Sequence, residues 1–232
     1  MQYNVYRCDL TLHDYLFFAS TERGKVAETS PFVHNYALTY ALGWASTLWY
    51  NAQQKARYRD ELYPIDSHYI TPARLIHGTS AMIQYNTLSE RLRIDKQRSI
   101  GYPDWGFIKC FRPGTLFRAY VLSSDSETFP RYIRLGKFMA KTELRVVAAR
   151  SVTQKQGDCK VPHLLNWNDL SKKPEAFNVQ VTSLPTRLIS RALFTDIPFL
   201  HVTFPDEDKE TDLPEDKEID LPMEMRYLVD IQ

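Results

Sequence analysis

The short signatures that most often carry enzyme chemistry are missing from these 232 residues. There is no GxxxxGK(S/T) phosphate loop, no GxGxxG, no GxSxG and no HExxH. Nothing local therefore points to nucleotide hydrolysis, dinucleotide binding, a hydrolase nucleophile elbow or a zinc peptidase. The three cysteines (Cys8, Cys110, Cys159) form no CxxC pair, which argues against a disulfide framework and a cysteine zinc site. The six histidines show no metal-ligand spacing. No apolar run reaches the ~18 residues needed to span a bilayer, and no signal-peptide pattern opens the chain. These absences lead to the expectation of a soluble, cytoplasmic protein without cofactor or metal.

What is present is a chain with folding capacity and a divided charge. Hydrophobic residues make up 44% and aromatic residues 13%, enough for a packed core. The net charge of +1 averages two opposite parts. Residues 202–220 hold nine acidic and two basic side chains, −7, which leaves +8 for the rest. Within that rest, residues 131–160 carry eight Lys/Arg against two acids. A basic body with one acidic segment suggests an anionic partner for the body.

Read in order, residues 4–13 alternate, with Tyr6, Cys8, Leu10 and Leu12 on one face, which predicts a half-buried strand. Ser30-Pro31 supplies an N-cap and N1 proline for a helix over 31–44, with Gly43 placed to end it. Strands are expected over 68–76, 81–88 and 114–123. Residues 89–112 hold six basic, three acidic and four aromatic residues, with turn signals at Pro103-Asp104 and Gly106. They predict a basic hairpin or arm projecting from the core.

The stretch 128–150 organises the rest. Thr128 is a plausible N-cap and Pro130 a tolerable first-turn residue for a short helix over 129–135. Gly136 falls where that helix would need a left-handed residue, and Lys137 follows at once. After Lys141 the β-branched run predicts a strand. A glycine there lets an anion approach the backbone, with turn N–H groups and a lysine beside it. A solvated helix face followed by a plain connector fits the same residues.

Together these elements read as βαββαβ, an α+β ferredoxin-like domain over 1–150, followed by a small irregular β-rich appendage over 151–232. Within the appendage, 205–220 reads as a mobile acidic loop. Basic residues interleaved with aromatics, in the arm and again at 131–145, suit single-stranded RNA, where cations neutralise phosphates and rings stack on bases. Trp105 and Phe107 could equally anchor the arm to a neighbour. His13-Asp14 could be a base with its orienting carboxylate or a strand-edge pair, and metal-free RNA cleavage by such a group stays open.

The N-terminal strand with LTLHDYLFFAS, the helix NYALTYALGW, the segment YITPARL and the loop IRLGKFMAKTEL, in this order and spacing, resemble the RAMP superfamily of CRISPR proteins. The nearest resemblance is to the Cas-five-type subunit of type I-D effector complexes. It covers residues 3–150 well and 151–232 more loosely. It implies a RAMP domain that caps the 5′ handle of the crRNA, with a thumb hairpin at 89–112. It further implies contact with a multi-copy backbone RAMP subunit and the large subunit of the complex. Such a subunit would be structural and not catalytic, and would need no membrane. Contact with target DNA beside the protospacer-adjacent motif stays open. By position, the resemblance places RNA contact at Arg134, Gly136, Lys137 and Lys141 in the loop and at Arg91, Arg93, Lys96 and Arg98 in the thumb. Two alternatives remain: a metal-independent crRNA-processing endoribonuclease of the same superfamily, and an interaction module whose basic surface meets an acidic partner.

Overall fold

The computed structural model describes residues 3–23, 26–45, 57–87, 104–180, 185–205 and 216–228. The first half of the chain contains β1 (Asn4–Leu12), β2 (Thr21–Arg23), β3 (Val26–Glu28), β4 (Phe32–Val33), α1 (Asn35–Ala41) and α2 (Tyr58–Leu62). It continues through β5 (His68–Ile70), β6 (Ala73–His77), β7 (Ser80–Thr87), β8 (Asp104–Phe111) and β9 (Leu116–Ser123). The second half contains β10 (Tyr132–Leu135), β11 (Ala140–Ala148), β12 (Ser151–Val161), β13 (Leu165–Asn166), β14 (Ala176–Gln180), β15 (Leu188–Thr203) and β16 (Glu218–Pro222). The protein is α+β with strands in clear excess.

The alternation at the N-terminus does become a strand, and β1 lies inside the main sheet, whose order is β10-β11-β1-β9-β6-β4, with β5 also on β9. Leu10 stands opposite Leu144 on one side and Phe117 on the other. One face of the sheet buries Cys8, Leu10, Leu12, Phe117 and Leu144 together with Leu38 of α1. The other face contributes Val5, Tyr120 and Leu122 to a core shared with Val161, Phe199 and Leu221. That shared core draws on residues from both sides of position 150.

Two helix expectations change. Residues 129–135 do not form a helix; 132–135 are strand β10, whose burial alternates exposed, buried, exposed, buried. Ile133 and Leu135 face the core while Tyr132 and Arg134 face out, a period-two pattern that a helix could not bury. Pro130 precedes the ladder and so removes no donor from it. A strand stands where the second helix of βαββαβ was expected, so that specific arrangement is not confirmed. The other helix starts later than Pro31. Phe32 and Val33 pair with β6, and α1 begins at Asn35, capped by His34 Nδ1, which accepts from the Tyr36 N–H at 3.2 Å. Gly43, at φ 76, ends it as expected.

The C-terminal region is a second sheet built on the long β15, which pairs with β12, β13, β14 and β16. The acidic segment 205–220 is not a loop at its far end. Residues 218–220 belong to β16, Ile219 is buried, and Asp216 is held by Arg74 and Tyr120. The third sheet, β2-β3-β8-β7, carries the base of the expected arm: β7 and β8 pair from Ser80↔Phe111 to Thr87↔Asp104. Among the described residues, no helix is long and apolar enough to cross a membrane.

Asp169 fastens the two halves of the shared core. Its buried carboxylate accepts from Asn35 Nδ2 at 2.7 Å, Tyr36 OH at 2.9 Å, Tyr69 OH at 3.0 Å and the Leu228 N–H at 2.8 Å. Burial pushes this carboxyl up to about 6, against the hydrogen bonds that favour its charge.

Candidate nucleic-acid interface

The loop singled out by sequence is the tip of the β10–β11 hairpin, a turn over 136–139 between the paired Leu135 and Ala140. Gly136 is left-handed, at φ 70. A Cβ there would lie 2.5 Å from the Phe17 carbonyl oxygen and 3.0 Å from Leu16 Cδ1. The close approach that only glycine permits is therefore made by the chain's own backbone. The Lys137 N–H donates to Phe17 O at 2.8 Å and the Met139 N–H to Gly136 O at 3.0 Å. With both of these amides engaged, the tip offers its charge through side chains and not through the backbone cradle that the sequence suggested.

Those side chains converge. Arg134 donates from Nη1 to Met139 O at 3.1 Å and lies 3.8 Å from Asp14. The Lys141 N–H donates to Asp14 Oδ2 at 3.0 Å, while its Nζ lies 4.2 Å from the centroid of the Tyr132 ring. The Arg131 guanidinium approaches the same ring at 5.2 Å, and the His13 ring meets it edge-on at 5.8 Å. Glu143 is the counter-charge. It accepts from Arg131 Nε and Nη2, both at 3.2 Å, and lies 3.2 Å from His13 Nε2. The Arg131 hydrogen bonds, then that of His13, hold the Glu143 carboxyl below its usual range. The carboxylate beside His13 is thus Glu143; Asp14 instead caps the backbone of β11.

Strand period puts these groups on one surface. Tyr132 and Arg134 of β10 face the same way as Lys141, Glu143 and Arg145 of β11, because Tyr132 pairs with Glu143 and Arg134 with Lys141. Arg134 and Lys141 therefore share a face, with Gly136 and Lys137 in the turn between their strands. The thumb residues Arg91, Arg93, Lys96 and Arg98 lie outside the described residues.

The same face continues inward through a charged row that sequence reasoning missed. Register sets Arg145 opposite Asp9, Asp9 opposite Arg118 and Arg118 opposite Arg74. Arg74 Nη2 and Tyr120 OH donate to Asp216 Oδ2 at 2.5 and 2.7 Å, with Arg118 Nη1 at 3.4 Å. Burial alone would raise the Asp216 carboxyl, yet the donors from Arg74 and Tyr120 leave it below the usual carboxylate range. His163 lies within hydrogen-bond reach of Thr71 Oγ1 at 3.0 Å and Pro72 O at 2.9 Å; burial, then the Arg74 charge, pushes it down to about 3. These residues are scattered over the whole chain, and only strand register joins them. The one signal available was the paired alternation of β1 and β9.

This surface can attract polyanions and offer rings edged by cations. Among the described residues, no cluster of three His, Cys, Asp or Glu could hold a metal ion. Residues 3–230 match the family model described as "Type I-D CRISPR-associated protein Cas5/Csc1". No curated protein matches the chain.

Proposed function

The chain belongs to the type I-D CRISPR-associated Cas5/Csc1 family, and we propose that it is the non-catalytic, guide-RNA-binding subunit that caps the 5′ handle of the crRNA. In this reading the outer face of the β10–β11 hairpin receives the handle. Arg134, Lys137 and Lys141 neutralise phosphates, and the thumb positions Arg91, Arg93, Lys96 and Arg98 add contacts from the arm. Gly136 acts indirectly, by letting the tip seat against Phe17. The backbone RAMP subunit and the large subunit of the effector are the protein neighbours.

The observation that carries the proposal is the row of Arg131, Tyr132, Arg134 and Lys141 on one exposed strand face. Cations and an aromatic ring in that spacing suit a single strand, whose phosphates and bases alternate at short intervals. Co-expression with the other effector subunits, followed by purification through this chain, tests it. A guide RNA and the multi-copy backbone subunit should come with the wild type, and the RNA should be depleted in Arg134→Ala/Lys137→Ala/Lys141→Ala. RNA retained at the wild-type level would remove the proposal.

One observation keeps a second reading in view. His13 lies beside Glu143 and Tyr132, and the Lys141 side chain reaches the same Tyr132 ring, a set able to move protons at a scissile phosphate without metal. Incubation with repeat RNA in EDTA separates the two, since only the endoribonuclease would shorten the RNA.

A further inference from the structure

The hairpin tip displays two large apolar side chains that packing does not require. Phe138 is 48% exposed and Met139 is 61% exposed. Such residues are normally lost from a tight turn in favour of polar ones, because they gain nothing there from burial. Met139 also holds φ 52, a left-handed conformation that costs energy for any residue with a side chain. Glycine or asparagine would occupy that position with less strain.

Nor is the tip loose. The Lys137 and Met139 amides, the Arg134 guanidinium and the Lys141 amide all tie it down, and Gly136 is wedged against Phe17. Phe138 is steadied in addition by the Phe17 ring, with centroids 5.3 Å apart. The result is a rigid, solvent-facing apolar point held out from the sheet edge. Its neighbours in sequence and across the hairpin are the cations Arg134, Lys137 and Lys141. A protein surface docking on Phe138 and Met139 would have to accommodate that ring of positive charge. An unpaired nucleotide meets both demands at once, with its base on the apolar point and its phosphates on the cations.

We infer that Phe138 and Met139 form a nucleobase-stacking wedge. The Phe138 ring supports an unpaired base of single-stranded RNA, and Met139 separates that base from the next one. This deepens the RNA-binding reading given above and depends on it. The strain at Met139 then has a use, since it aims the side chain outward beyond the turn.

The test uses the full chain and a short single-stranded oligoribonucleotide carrying 2-aminopurine, whose fluorescence responds to stacking. Base–aromatic stacking is worth about ten- to a hundredfold in affinity. Phe138→Ala should lose affinity by that order and abolish the fluorescence change. Its salt dependence should keep the wild-type slope, because no phosphate contact is removed. Phe138→Trp should restore both readouts. Met139→Gly should raise the melting temperature, by relieving the left-handed strain, and yet weaken binding severalfold. If the wild type binds the RNA but both variants match it in affinity and fluorescence, the wedge is wrong and the RNA-binding reading survives. If the wild type does not bind the RNA at all, both fail. If Phe138→Ala leaves RNA binding intact but releases a protein subunit from the assembled complex, the tip is a protein contact and the inference is overturned.

Discussion

Arg118 closes a fork on Asp9 from the next strand, donating from Nε to Oδ1 at 2.6 Å and from Nη2 to Oδ2 at 3.2 Å. Both side chains are buried, and the two residues are direct partners in the β1–β9 ladder. Removing Asp9 leaves Arg118 with the longer 3.4 Å contact to Asp216, and breaking a buried pair of this kind costs up to about 3–5 kcal/mol. Asp9→Ala should lower stability by that order in chemical denaturation. The double variant Asp9→Leu/Arg118→Met should lose less than the sum of the singles. A loss under about 1 kcal/mol for Asp9→Ala, typical of an exposed pair, would show that this fork is open to water.

The acidic segment was expected to be a mobile loop, and the contacts of Asp216 and Ile219 correct that expectation at its far end. Replacing 205–220 with a Gly/Ser linker removes a partly buried carboxylate from Arg74 and Tyr120 and a buried isoleucine from the shared core. The isoleucine alone is worth about 1.5–3 kcal/mol. Thermal unfolding should move down by several degrees, and an unchanged midpoint would mean that β16 contributes nothing.

Lys137 and Lys141 should each act on RNA through charge. Affinity for single-stranded RNA falls with salt at a log–log slope of about −0.7 per phosphate neutralised. Lys137→Ala and Lys141→Ala should each make the slope shallower by about that amount. Equal slopes in wild type and both variants would place the RNA on another surface.

Gly136 should tolerate no side chain. Left-handed backbone costs a non-glycine residue about 1–2 kcal/mol, and here any Cβ also collides with Phe17 O at 2.5 Å. Gly136→Ala and Gly136→Asn should therefore both destabilise, since asparagine's tolerance of left-handed backbone does not relieve the collision. Equal melting temperatures for wild type and Gly136→Ala would refute the packing described for the tip.

Acid should weaken the fold through two buried histidines. Burial holds His34 and His163 down at about 3, from 6.5. A depressed folded value gives stability that is present above 6.5 and lost as pH falls towards 3, because the unfolded chain takes up the proton first. Between about pH 7 and 5 each histidine should cost about 2 kcal/mol. Asp169, raised to about 6 from 3.8, works in the opposite sense and returns about 1 kcal/mol over that interval. Denaturation at the two pH values should show a net loss, and His163→Gln should flatten the profile. A flat wild-type profile would mean that the two rings are not buried neutral.

How far the sequence could be read depended on whether the signal was local. Strand β1 was legible because the alternation through Cys8, Leu10 and Leu12 is complete within one segment. Gly43 was legible as a helix end, and Gly136 as a left-handed residue, although it turns a hairpin and ends no helix. The short helix before Gly136 was misread because Thr128 and Pro130 mimic a helix start, while the deciding fact, burial of Ile133 and Leu135 beneath the sheet, lies in distant residues. Arg134, Lys137 and Lys141 were singled out because they cluster in sequence. The row Arg145–Asp9–Arg118–Arg74 was not, since its members share nothing but register. The Asp169 hub was equally silent: an aspartate near a tryptophan carries no mark of four donors arriving from positions 35, 36, 69 and 228.

The central place of β1 has a consequence for biosynthesis. Strand β1 is made well before both its sheet neighbours, which lie more than a hundred residues downstream, at β9 and β11. One wall of the core beneath it is completed only by β16 and Leu228. Contacts of such long range make folding slow and leave apolar strands uncovered on the nascent chain. During translation the emerging protein therefore holds Cys8, Leu10 and Leu12 without their sheet partners until β9 and β11 are made, and in that interval it is a natural client for chaperones.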